Sequence, residues 1–264
     1  MKVEKIKKAG SKYKITLDNG EVITTYEEVI INNGLLFHKY INEKLLNKIY
    51  NDTNYYKIYN KVLNMINRRL RSEYEIKNFL IKEEVKEEYI NEIIDNLKII
   101  GLINDKLYAK AYTNDKINLS YDGPYKIKRY LQKNKINEEY INEALSNIDD
   151  DIINSHIDKI IDKKIKINKK YTSYILKQKI ITYLINLGYS RERIISRLDN
   201  FKIDNPNSKK EMDKIFNKLK NKYKEDELYY KLKNKLYSKG YSIEEIEEYI
   251  KDSSLFWTIF FFCC

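Results

Sequence analysis

Two groups of basic residues carry the most suggestive chemistry in this 264-residue chain. Arg68, Arg69 and Arg71 stand just before Ser72-Glu73-Tyr74-Glu75, and Lys126, Lys128 and Arg129 follow the helix start at Gly123-Pro124. A guanidinium fork grips phosphate or carboxylate bidentately, whereas an ammonium acts as a point charge. A solvated helix end, where cations suit the negative pole of the dipole, accounts for the first group without any ligand. Lys177 and Lys179, then Arg191 and Arg193, extend the set of candidate contacts. A basic group repeated at one place in successive units makes a stripe rather than a spot, which suits a long anionic partner such as nucleic acid or a filament.

No comparable arrangement points to catalysis. His38 and His156 stand alone, without a ligand or nucleophile at useful spacing. Asp149-Asp150-Asp151 reads as a helix start, where carboxylates favour the positive dipole end, rather than as a metal site. Glu83-Glu84 and Glu87-Glu88 straddle another helix start and read as solvated. There is no P-loop and no GxGxxG. The expectation is a protein that is not an enzyme and needs no cofactor or metal.

The formal net charge is +11, and it is uneven: residues 152–206 hold 12 Lys and Arg against 5 Asp and Glu. That favours an acidic partner. Part of the excess follows from a composition rich in Lys, Asn, Ile and Tyr, the residues of AT-rich codons. The only cysteines, Cys263 and Cys264, supply neither a disulfide framework nor a CxxC pair. Met1 to Gly20 lacks the apolar core of a signal peptide. A cytoplasmic monomer with no membrane contact is expected.

The elements that must position these residues are mostly helices. Seven Gly and two Pro are too few for a β sandwich or a loop-rich enzyme. Tyr13, Ile15 and Leu17 alternate ahead of Asp18-Asn19-Gly20, with Val22 and Ile23 after it, which predicts a small β hairpin of 12–17 and 21–25. A short helix over 26–31 and another over 35–50 follow. From Tyr55 onward only helices are expected. Ile58, Val62, Met65 and Ile66 form a stripe, Ser72 and Glu75 a capping box, and Leu107, Ala111 and Tyr108 the apolar face of a helix capped by Asn104 or Asp105.

An internal repeat organises the rest. Leu80-Val85-Ile90-Ile94, Leu131-Ile136-Ile141-Leu145, Leu184-Tyr189-Ile194-Leu198 and Leu236-Tyr241-Ile246-Ile250 share spacings of five, five and four, and recur every 51 to 53 residues. An apolar residue precedes each set by four: Ile76, Ile127, Ile180 and Leu232. Tyr130, Tyr189 and Tyr241 fall in this apolar register and read as core rather than as stacking platforms. Fixed-period self-similarity predicts an array of supersecondary units, each long enough for three helices. The fold class is therefore mainly α, with tandem three-helix repeats in an elongated curved array behind a small N-terminal β hairpin. The expected divisions are 1–54, 55–101, 102–148, 149–201, 202–252 and an atypical apolar tail at 253–264.

Arg69-Leu70-Arg71-Ser72-Glu73-Tyr74-Glu75-Ile76, then Gly101-Leu102-Ile103-Asn104-Asp105, Tyr108-Ala109, Tyr112, and Gly123-Pro124 with Ile127 and Leu131, resemble the RecX family, bacterial regulatory proteins of the RecA recombinase. The likeness is best from about Tyr55 to Leu145, and the hairpin looks like the extension of the Gram-positive members. The resemblance implies a non-catalytic protein of tandem three-helix repeats. It would bind the RecA–DNA filament across neighbouring subunits and inhibit ATP hydrolysis, filament growth or strand exchange. By position, Arg69, Arg71 and Glu73 match the family's most recognisable motif, part of which is the Ser72–Glu75 cap. Leu70 departs from the small or Pro residue often found between the two arginines. The ending LFWTIFFFCC is also unlike the family and too short to span a bilayer; a frameshift near Ser253 or a sequencing artefact would explain it, with a membrane or partner anchor as the alternative. A helical-repeat nucleic-acid-binding protein acting without RecA is the alternative.

Overall fold

Alternation of apolar and polar residues builds the N-terminal sheet. Ile15, Leu17 and Ile23 are buried on one face while Lys12, Lys14 and Thr24 are exposed on the other. In the computed structural model, which describes residues 1–37, 39–168, 171–203 and 207–252, the sheet has three antiparallel strands in the order β1 (Val3–Ala9), β2 (Lys12–Leu17) and β3 (Val22–Thr25). The predicted hairpin is β2–β3. The strand β1 was not expected, because VEKIKKA offers only Val3 and Ile6 to the apolar face and reads as a solvated charge run. His38 and the 253–264 tail with Cys263 and Cys264 lie outside the described residues.

The sheet rests on α1 (Glu27–Asn32) and the first half of α2 (Glu43–Arg68). Their common core holds Ile15, Leu17, Val29, Ile30, Leu35, Ile41 and Ile49. Here the structure corrects the helix expected over 35–50. Residues 35–37 form a turn, 39–42 are not helical, and α2 begins only after Asn42, whose side chain accepts the Leu45 N–H at 2.8 Å. The helix then runs unbroken to Arg68, across the predicted division at 54–55. Asn51-Asp52-Thr53-Asn54 looks like a break, yet Thr53 donates to Ile49 O at 2.6 Å and Asp52 accepts from the Asn33 amide at 2.7 Å. A bond back along the helix and a tertiary partner thus satisfy polar groups that would otherwise favour a turn.

Eleven further helices complete the thirteen of the described residues: α3 (Glu73–Lys82), α4 (Glu87–Ile99), α5 (Asp105–Ser120), α6 (Pro124–Lys133), α7 (Glu138–Ser146), α8 (Asp150–Lys166), α9 (Ser173–Asn186), α10 (Arg191–Leu198), α11 (Ser208–Lys220), α12 (Glu225–Ser238) and α13 (Ile243–Asp252). They fall into threes. Helices α2–α4, α8–α10 and α11–α13 each enclose a buried cluster of their own, centred on Leu80, Leu184 and Leu236. By contact the chain forms two compact units, one of 1–111 with 131–141 and one of 112–130 with the residues from 142 onward.

The five-residue spacing of the repeat has a specific cause. In every triplet the N–H of the second register residue donates to the carbonyl of the first: Val85 to Leu80, Ile136 to Leu131, Tyr189 to Leu184 and Tyr241 to Leu236, at 3.1–3.2 Å. The residue just before it donates to the carbonyl three back, as Gly188 does to Ile185. This is the Schellman closure, in which a left-handed residue ends the helix and the apolar residue after it folds back on the last turn. The left-handed positions are Glu84, Lys135, Gly188 and Gly240, all with φ between 57° and 92°. The apolar register is buried accordingly, Tyr189 and Tyr241 included, apart from half-buried Val85 and Leu145, while Tyr130 is half-buried and stacks on Tyr112 at 4.3 Å.

The face of α5 also departs from expectation. Leu107 is 57% exposed, and Tyr108, Ala109, Thr113 and Ile117 are the buried positions. Asn104 caps the helix by accepting the Leu107 N–H at 3.0 Å, so Asp105 is its first residue and the helical phase turns Leu107 outward. Asp105 itself accepts the Glu73 N–H at 2.9 Å, and burial holds its carboxyl above the usual range.

Candidate partner-binding surface

Arg69 and Arg71 converge on one carboxylate. Arg69 Nη2 donates to Glu75 Oε1 at 2.6 Å, and Arg71 Nη1 lies 3.5 Å from the same oxygen. The other oxygen, Oε2, accepts the Ser72 N–H at 3.2 Å, while Ser72 Oγ accepts the Glu75 N–H at 3.2 Å. Ser72 is fully buried. The Arg-Leu-Arg-Ser-Glu-Tyr-Glu stretch is therefore a knot that ends α2 and starts α3, with two guanidinium groups sharing the Glu75 carboxylate. Glu73, the third matching position, pairs with Lys98 at 2.8 Å. Arg68, the last residue of α2, is exposed and makes no ion pair among the described residues.

In the second group Lys126 is held by Asp122 at 2.7 Å, and Asp122 is buried. Lys128 is half-buried on α6; Arg129 is exposed there without an ion pair among the described residues. The N-terminus of α6, which begins at Pro124 as its type predicts, is anchored on the turn between α9 and α10. Gly123 N–H donates to Leu187 O at 2.6 Å and Tyr125 N–H to Gly188 O at 3.0 Å. Carbonyls of one turn thus satisfy amides that a helix start leaves open. The two backbones cross so closely that a Cβ on Gly123 would lie 2.4 Å from the Gly188 carbonyl carbon.

The third group lies on α9 and α10. Arg193 pairs with Asp150 at 2.7 Å, and Asp150 follows the Asp149 cap that starts α8. Arg191 is exposed and Lys177 half-buried, neither in an ion pair among the described residues. Lys179 sits 4.5 Å from the centre of the Tyr171 ring. It borders a groove of about 870 Å³ lined by Tyr171, Tyr174 and Tyr183 of α9 and its approach, and by Lys164 of α8, which lies 3.9 Å over Tyr183. Sequence reasoning did not single out Lys164, Tyr171 or Tyr183. Their signal was available as alternating Lys and Tyr through the strongly basic 152–206 block. Nor did it find Arg197, which grips Asp158 through Nε at 2.8 Å and through Nη2.

His156 is buried against Tyr121, with ring centres 4.4 Å apart and Nδ1 unpartnered among the described residues. Burial, and then the charge of Lys159, lower its pKa below the ordinary value. The folded state therefore prefers neutral imidazole. Its contribution is complete above the unfolded pKa near 6.5 and is lost as pH falls below it. We expect stability to drop between pH 7 and 5 in urea titrations, and His156→Phe to flatten that drop; an equal slope in both proteins would exclude His156 as its source.

Among the described residues no three His, Cys, Asp or Glu side chains gather as a metal would require, and no helix is long and apolar enough to cross a membrane. Fold and surface together define a class: a tandem three-helix-repeat protein with a sheet at its N-terminus and basic side chains along its helices.

Within that class the comparisons are specific. The model of the first three-helix domain of RecX matches residues 59–97, and that of the second matches 104–145. A regulatory protein RecX of Bacillus cereus is 31% identical over 262 residues, 95% of this chain and 96% of that protein. One of Listeria monocytogenes is 29% identical over 250 residues, covering 92% and 93%. A crystal structure of regulatory protein RecX shares the fold with a TM-score of 0.61 at 24% identity, over 76% of this chain and 99% of that one. RecX from Lactobacillus salivarius is similar with a TM-score of 0.50 at 31% identity, over 56% and 97%. The chain belongs to the RecX family, a family of regulatory proteins.

Proposed function

We propose that this protein is a non-catalytic, monomeric regulator that binds the RecA–single-stranded DNA filament and inhibits its ATPase, growth and strand exchange in recombination and the SOS response. The observation that carries the reading is a set of basic side chains left uncompensated within a RecX chain. Arg68, Arg129, Lys177 and Arg191 make no ion pair among the described residues, whereas Arg69 and Arg71 share Glu75, and Lys126 and Arg193 pair with Asp122 and Asp150. Uncompensated charges on helices α2, α6, α9 and α10 suit weak contacts to several subunits, which add through multivalency.

The test is co-sedimentation with RecA filaments, and inhibition of their DNA-dependent ATPase, by wild type and by a variant with Arg68, Arg129, Lys177 and Arg191 all changed to Ala. Exposed charges contribute about 0.2–1 kcal/mol each, so affinity should fall roughly 10-fold or more, less steeply at high salt. Wild-type protein that neither sediments with the filament nor slows its ATPase overturns the reading.

A second reading, a nucleic-acid-binding protein acting without RecA, is favoured by the Lys–Tyr groove of α8 and α9. Rings beside cations suit bases and phosphates of a single strand. Oligonucleotide binding with no RecA co-sedimentation would select it.

A further inference from the structure

The sheet carries a second basic surface, on the side away from its core. The strand register sets Lys7 of β1 directly opposite Lys14 of β2, Lys5 opposite Thr16, and Lys14 opposite Thr24 of β3. Directly opposed residues point to the same face, and residues two apart on a strand share it. One face thus holds Ile6, Ile15, Leu17 and Ile23 toward the core. The other holds Lys5, Lys7, Ala9, Lys12, Lys14, Thr16, Val22 and Thr24, and the one carboxylate of β1, exposed Glu4, falls at the irregularity between Val3 and Lys5. Lys12 lies 5.3 Å from the Tyr26 ring. Lys5, Lys7 and Lys14 are exposed and make no ion pair among the described residues. Lys8 points the other way, to Tyr13 and Glu27.

Like charges set directly opposite each other weaken a strand pair. Lysines along an exposed edge commonly serve to discourage further strand addition. That role explains Lys5 and Lys7 on the outer strand β1. It does not explain Lys14, which stands on the central strand between two neighbours. A lysine grid on a central strand, facing its like across the ladder, suits a surface whose charge is neutralised by a polyanion.

We infer that this outer face is a docking surface for the phosphodiester backbone of single-stranded DNA. Lysines about 6.8 Å apart along each strand, flanked by the Thr16 and Thr24 hydroxyls, supply regularly spaced cations and hydrogen-bond donors for successive phosphates. The face's apolar positions are Ala9 and Val22, so it offers little to a lipid surface. The inference does not rest on the filament reading, because it concerns naked DNA.

The experiment is fluorescence anisotropy of the full chain with a labelled oligo-dT across a salt series, without RecA. The variants are Lys5→Gln/Lys7→Gln/Lys14→Gln and the same three positions changed to Arg. The Gln variant is expected to bind at least about 10-fold more weakly at low salt. Three lost phosphate contacts at about 0.7 each should reduce the slope of log affinity on log salt by about 2. The Arg variant should keep both values. The Gln variant should melt no lower than wild type, since it removes the Lys7–Lys14 repulsion, so weaker binding is separable from unfolding. Unchanged affinity and slope overturn the proposal. So does a loss seen only with duplex DNA or with vesicles of anionic phospholipid. Failure of filament co-sedimentation leaves this result untouched, which keeps the two readings distinguishable.

Discussion

Replacing Gly188 with alanine is expected to lower stability by roughly 2–5 kcal/mol, about 1–2 from the left-handed backbone and about 1–3 from overpacking. Gly188 has φ +92°, and a Cβ there would lie 2.4 Å from the Lys126 N and 2.6 Å from the Lys126 Cβ. Both obstacles belong to a helix start that is itself fixed by hydrogen bonds, so neither can withdraw cheaply. Gly240→Ala should be milder. Its φ is +84°, and the atoms in the way are the Ile175 side chain at 2.7 and 2.9 Å and the Thr172 hydroxyl at 3.0 Å, which can shift. Gly101→Ala, at φ +74° with open space around it, should lose only the backbone term of about 1–2 kcal/mol. Urea denaturation of the three variants tests the order Gly188, Gly240, Gly101. Equal losses at all three would show that the close crossing of Gly123 and Gly188 contributes nothing beyond dihedral strain.

The second large effect is expected at Glu75. Glu75→Ala removes the acceptor for the Ser72 N–H and leaves two guanidinium groups without their shared carboxylate. A cap is worth about 1 kcal/mol, and partly exposed ion pairs add at most about 1 kcal/mol each, so a loss of about 2 kcal/mol is expected. Glu75→Gln keeps an oxygen for the cap and loses the charge, and should fall about midway. Filament binding provides a separate readout. If Arg69 and Arg71 are occupied by Glu75, as the distances indicate, Glu75→Ala frees two cations and should tighten co-sedimentation once the protein is folded. Weaker co-sedimentation by a folded Glu75→Ala protein would instead place the carboxylate itself in the contact.

The repeat was legible in the sequence because its spacings are set by local geometry. A separation of five between Leu184 and Tyr189 is what a left-handed helix ending produces, whatever surrounds it. Caps at Ser72, Ser190 and Ser242 were legible for the same reason, since each satisfies an amide three residues on. Features that depend on distant partners were not. The polar run at 51–54 resembles a break until Asn33 and Thr25 engage Asp52 and Thr53 from elsewhere in the fold. Strand β1 shows too few apolar residues to be recognised alone, and becomes a strand through pairing with β2.

For the basic groups the sequence located the cations but not their counterions. Arg71 and Glu75 are four apart on the chain, yet Arg69 reaches the same carboxylate from an extended residue beyond the end of α2. Asp150 and Arg193 are far apart in sequence and meet only because α8 packs near α10. Which lysines and arginines keep their charge available is a tertiary property, and it redistributed the candidate list from paired residues toward Arg68, Arg129, Lys177 and Arg191.

The four Schellman closures also bear on how the chain reaches its fold. Each links residues only five apart, and each brings the last turn of one helix against the first residue of the connection to the next. Contacts this short require little of the chain to be searched before they form, and topologies dominated by them fold quickly. Any triplet can therefore begin to assemble at its own turn, with the closely crossed pair Gly123 and Gly188 brought together afterwards. Stopped-flow measurements should show Leu184→Ala slowing folding, while Gly123→Ala chiefly speeds unfolding.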